Sequence, residues 1–106
     1  LVRRAAGRAA AAQEAGEIRL DISRMTATRA GRPLELTPLE FRLLAYLMLH
    51  RDRTLPTTEL LEHLYGDDAS REANAVEALV ARLRRKVGPG VVATRRGFGY
   101  AIESGA

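Results

Sequence analysis

At Thr37 the hydrophobic repeat of this chain changes from two residues to between three and four, and that change constrains the fold more than any other feature. Upstream, Ile18, Leu20 and Ile22 alternate with Arg19 and Asp21, the pattern of a half-buried strand. "MTATRAGRPLEL", residues 25–36, supplies two further short strands around a turn at Ala30-Gly31-Arg32, with Leu34 and Leu36 on one face. Downstream, Thr37 can cap a helix, Pro38 suits its first position, and Glu40 stands where a capping box requires an acid. The helix that follows is predicted to run to about His50, with Phe41, Leu44, Ala45 and Met48 inward and Leu43 and Leu47 broadening that face. A second helix starts near Thr57, carries Leu60, Leu61 and Leu64 on one side and stops at Gly66. A third spans roughly residues 74–87 and ends at "GPG". "VVATRRGFGYAIE" then reads as a β-hairpin turning at Arg95-Arg96-Gly97. The order is sheet, three helices, hairpin, an α+β arrangement.

Size fits one such unit. With 106 residues and 46% hydrophobic content, the chain buries one modest core. Residues 1–16, "LVRRAAGRAAAAQEAG", have too few large apolar groups to pack and read as a linker, which leaves 17–106 as the domain. The chain begins with Leu1 rather than methionine and so reads as a piece of something longer. No apolar run approaches the about 18 residues of a membrane span, so a soluble protein with no membrane partner is expected. The absence of cysteine excludes disulfide frameworks, thiolate metal sites and cysteine nucleophiles, and fits a cytoplasmic location.

Charge is unevenly placed within a net of +4. Residues 17–73 hold eight arginines against ten acids, whereas residues 74–106 hold Arg82, Arg84, Arg85, Lys86, Arg95 and Arg96 against only Glu77 and Glu103. A cationic end on a near-neutral domain suits a phosphate-backbone partner; solvated surface arginines are the alternative. The third helix sharpens the first reading. Val76, Leu79, Val80, Leu83 and Val87 form one apolar stripe, and the opposite face carries Asn74, Ala78, Ala81, Arg82 and Arg85, with Arg84 and Lys86 nearer the flanks. Small alanines allow close approach, and asparagine and arginine suit bidentate contacts with base edges in a major groove. An ordinary amphipathic helix with a solvated basic face would show the same stripe. In the hairpin, Gly97 and Gly99 allow a tight turn, Phe98 and Tyr100 are expected to anchor the returning strand against the body, and Arg95 and Arg96 project together.

Four motifs in order, "LTPLEFRLLAYL" at 36–47, "LLEHLYG" at 60–66, "NAVEALVARLRRKVG" at 74–88 and "TRRGFGY" at 94–100, resemble the winged helix-turn-helix effector domains of OmpR/PhoB-type bacterial response regulators. The resemblance covers about residues 18–102. It implies a winged helix-turn-helix with an N-terminal antiparallel sheet, three helices and a C-terminal hairpin wing. It further implies double-stranded DNA binding in transcription regulation, with Asn74, Ala78, Arg82, Arg84 and Arg85 of the recognition helix in the major groove and Thr94 and Arg96 at the wing, where Arg95 beside them is expected to touch phosphate or point to solvent. Of the wing arginines, Arg96 matches the family's minor-groove position. Thr57 matches a position where a hydroxyl and amide hold a phosphate. The loop with Asp67, Asp68 and Glu72 corresponds to a segment that faces RNA polymerase in activators. Residues 1–11 resemble the end of a receiver domain and its linker, which implies a two-component regulator that is dimeric on DNA at full length and monomeric as this domain alone. Leu79 stands where histidine or tyrosine is frequent, Arg95 replaces a usual valine, and Tyr65 stands in place of tryptophan.

Other classes fit less well. His50 and His63 have no nearby acid, thiol or second histidine at ligand spacing, so no enzyme activity, metal or cofactor is expected. "GFG" lacks the lysine and hydroxyl residue of a phosphate loop. The alternative from a different class is a winged helix that serves as a protein-interaction module without specific DNA binding.

Overall fold

The computed structural model describes residues 12–66, 73–88 and 90–102. Strands β1 (Ala12–Ala15), β2 (Ile18–Asp21), β3 (Thr26–Arg29) and β4 (Arg32–Leu34) form an antiparallel meander in sequence order. Ile18 and Leu20 of β2 are buried with Arg19 exposed between them, as alternation requires. Ala30 and Gly31 both take positive φ, 52° and 82°, the two-residue hairpin geometry that matches strand twist.

The sheet corrects one expectation. The stretch read as linker contributes β1, whose Ala15 is buried and whose residues pair one for one with β2, from Ala12 opposite Asp21 to Ala15 opposite Ile18. Its stability comes from backbone pairing and from packing on the first helix, neither of which needs large side chains.

Helix α1 (Pro38–Leu49) begins with the complete capping box: the Thr37 hydroxyl accepts from the Glu40 amide at 3.2 Å, and Glu40 Oε1 accepts from the Thr37 amide at 3.0 Å. It buries Phe41, Leu43, Leu44, Leu47 and Met48, while Ala45 is only half-buried. Helix α2 (Thr57–Tyr65) buries Leu60, Leu61 and Leu64. Helix α3 (Ala73–Val87) packs across both with Val76, Leu79, Val80, Leu83 and Val87, the expected stripe. These side chains and those of β2 meet in one core.

Strands β5 (Ala93–Arg95) and β6 (Gly99–Ala101) form the hairpin. It is tied to the body through the α1–α2 connection: the Leu55 and Tyr100 amides each donate to the other's carbonyl, at 2.8 and 3.1 Å, and the Asp52 amide donates to Ile102 O at 2.8 Å. Gly99 permits that closeness, since a Cβ there would lie 2.0 Å from Leu55 O. Tyr100 is buried as expected, but Phe98 is not. It is 76% exposed, because it closes the turn, its amide donating to Arg95 O at 2.8 Å, and so lies beyond the part of β6 that packs.

Candidate nucleic-acid interface

With its apolar stripe spent on the core, α3 leaves Asn74, Ala78, Ala81, Arg82 and Arg85 exposed on the opposite face. Along one flank α3 meets the hairpin. Thr57 and Thr58 at the start of α2, Glu77 of α3 and the hairpin from Thr94 to Tyr100 line a cleft of about 460 Å³. No side chain caps the start of α2, since its N-cap is Pro56, so the first-turn amides that Thr57 heads have no side-chain acceptor there. The expected residues Thr57, Thr94, Arg95 and Arg96 are therefore gathered at one cleft, beside the face that carries Asn74, Ala78, Arg82 and Arg85.

Arg84 departs from expectation. Its guanidinium turns toward the hairpin, donating to Val92 O at 2.9 and 3.1 Å and to the Thr94 hydroxyl, and lies 5.8 Å from the Tyr100 ring centroid. Its fork is occupied inside the protein, where it splints the wing to α3. Tyr100 ionises above its usual range, first through burial and then through the Glu77 charge, with Arg84 opposing. It is a neutral phenol at physiological pH.

Lys86, on the other flank, is also engaged internally. Its ammonium donates to Glu40 Oε1 at 2.6 Å and to Glu35 O at 2.8 Å. Glu40 is 1% exposed, and its Oε2 lies 3.7 Å from Arg82 Nε. Burial alone would raise the Glu40 carboxyl, but the Lys86 ammonium and the Thr37 amide outweigh it and hold the group below the usual glutamate range. The residue is legible in the sequence only as the acid of a capping box; its grip on α3 is tertiary.

Asp67, Asp68 and Glu72 lie outside the described residues. His63 stacks on Tyr46 at 3.8 Å and His50 meets the same ring edge-on at 4.6 Å, while Tyr46 donates to Glu59 at 2.6 Å. Burial first, then the Arg42 and His50 charges, lower the His63 pKa. Among the described residues no three His, Cys, Asp or Glu side chains gather as a metal would need, and no helix is long and apolar enough to cross a membrane.

Residues 31–102 match the family described as "Transcriptional regulatory protein, C terminal". The two-component response regulator PhoP of Pseudomonas aeruginosa is 42% identical over 104 residues, which cover 94% of this chain and 46% of that protein. The response regulator PmrA of the same organism is 40% identical over 106 residues, all of this chain and 48% of its own length. The chain thus spans about half the length of both relatives. Among solved structures, the DNA-binding domain of CpxR from Escherichia coli superposes with a TM-score of 0.79 at 30% identity, covering 90% of this chain and 98% of that one.

Proposed function

The chain belongs to the C-terminal family of transcriptional regulatory proteins, the OmpR/PhoB-type response-regulator effector domains, and from that premise we propose that it binds duplex DNA sequence-specifically as the output end of a two-component regulator. α3 enters the major groove with Asn74, Ala78, Arg82 and Arg85, and the wing lies across the adjacent minor groove. One observation carries this reading: α3 keeps an exposed Asn/Ala/Arg face directly beside a cleft rimmed by Thr57, Thr94, Arg95 and Arg96. Asn and Arg on a groove-facing helix read adenine and guanine edges, while hydroxyls and cations at the rim hold phosphates. Arg84 and Lys86 contribute by orienting the wing and α3.

The finer assignments follow the same reading. At full length a receiver domain precedes this one in a cytoplasmic protein that pairs on two half-sites, and the 67–72 loop faces RNA polymerase.

The test is selection of bound duplexes from a random pool, followed by binding of the winner and a scrambled version under excess competitor DNA. A sequence-specific domain retains the winner, and its log affinity falls with log salt at a slope of about −4 to −6. Weak, equal binding of both duplexes would instead identify a protein-interaction module.

A further inference from the structure

We propose that Glu40 is a positioning residue for base recognition: its buried carboxylate holds Arg82 by the Nε edge and so aims the terminal nitrogens of that guanidinium at one base step. The proposal rests on Arg82 being a base contact. An arginine on an exposed helix face has many rotamers, whereas bidentate reading of guanine requires its fork in one plane and direction. The Arg82 side chain is 52% exposed, and Glu40 Oε2 lies 3.7 Å from its Nε. At 3.7 Å the contact is an ion pair rather than a hydrogen bond, and it is made at Nε, the inner nitrogen of the guanidinium.

Glu40 is itself immobilised. The Thr37 amide and the Lys86 ammonium, at 3.0 and 2.6 Å, both bind Oε1, and the group has almost no access to water. Oε2 is thereby presented to Arg82 by a carboxylate that cannot swing. Arg82 and Lys86 are four residues apart, one turn of α3, so Glu40 grips two successive rungs of the recognition helix along one flank. Lys86, bound also to Glu35 O, fixes the helix; Arg82, half exposed, remains available to a ligand.

Glu40→Gln separates these roles, because glutamine serves a capping box while removing the charge. Affinities of the wild type, Glu40→Gln, Arg82→Ala and the double variant are measured for the duplex that wild type recovers from a random pool and for each of its single-base-pair changes. Glu40→Gln is expected to lose about fivefold to tenfold of discrimination, confined to the base pairs that Arg82→Ala relaxes, with no further loss at those pairs in the double variant. Uniform weakening across all duplexes, or losses that add in the double variant, would overturn the proposal and leave Glu40 a structural staple. A wild type that prefers no duplex would overturn the DNA-binding reading as well, a separate and recognisable result. A readout that needs no Glu40 variant is Nε–H relaxation in the wild-type protein: the Arg82 Nε–H should be markedly more ordered than that of exposed Arg85, and equal mobility would also refute the proposal.

Discussion

Glu40 Oε1 and Lys86 Nζ lie 2.6 Å apart although 46 residues separate them in the chain. The pair joins the first turn of α1 to the last turn of α3, beside the apolar stripe by which α3 packs on the body. Glu40 is buried while Lys86 is 35% exposed, so the pair is partly shielded from water, and removing the lysine would leave the buried carboxylate with its desolvation penalty.

Lys86→Met should therefore destabilise the domain by about 1–3 kcal/mol, between the exposed and fully buried cases, with Arg82 at 3.7 Å too exposed to compensate fully. Adding Glu40→Gln to Lys86→Met should recover part of that loss, since no buried charge is then left without its partner. Urea unfolding of the three variants checks this; a double variant less stable than Lys86→Met would contradict it.

Acid should act through the same group. The folded-state pKa of Glu40 lies below the ordinary 4.5, so its stabilisation is fully present above that value and is lost as pH falls through the lowered one. Asp21 and Glu59 are shifted in the same direction, Asp21 first by the Ser23 hydroxyl and Glu59 first by the Tyr46 hydroxyl and then by Arg53. Both remain in Glu40→Gln. Unfolding free energy measured from about pH 6 to pH 3 should thus fall less steeply in Glu40→Gln than in wild type, without becoming flat. Equal slopes would show that Glu40 titrates alike in the folded and unfolded chains.

On the opposite flank, Arg84→Ala should cost about 1–3 kcal/mol, because Val92 O and the Thr94 hydroxyl lose a charged donor. Arg84→Lys should rescue little, as one ammonium cannot replace a planar fork that places Nε and a terminal nitrogen on one carbonyl. The loosened wing should weaken selected and scrambled duplexes alike. A selective loss on the selected duplex would mean that Arg84 reads bases after all.

These contacts mark the limit of what the sequence made legible. Elements whose cause is local were readable: Thr37 and Glu40 cap α1, the Val76-to-Val87 stripe buries α3, and Ala30-Gly31 turns β3 into β4. The strand Ala12–Ala15 was not, because alanine, glutamine and glutamate show no alternation of large apolar groups and the strand exists through pairing with β2. Arg84 lies on the flank of a helical wheel, and only the returning hairpin, Val92 and Thr94, gives that flank a partner. Phe98 shares the parity of buried Tyr100, but parity stops counting where the chain leaves the strand and enters the turn.

That turn decides between the two wing arginines. Arg95 belongs to β5 and stands opposite Gly99, while Arg96 and Gly97 are the two central residues of a turn closed by the Phe98 amide on Arg95 O. Gly97 alone of the two has positive φ, 83°, the pattern of a type II turn, which sets Arg96 at the tip of the hairpin, beyond the paired strands. A narrow A·T-rich minor groove concentrates negative potential and attracts an inserted arginine, and a residue at the corner reaches its floor where one on the strand meets the phosphates along its edge. Flank preference is therefore expected of Arg96 rather than Arg95. Measured on duplexes whose segment beside the recognition site is either A·T-rich or G·C-rich, Arg96→Ala should abolish most of the difference in affinity between them. Arg95→Ala should weaken both by a similar factor and leave their ratio intact. The reverse outcome would move the groove contact one residue back along the hairpin, from the corner of the turn to the end of β5.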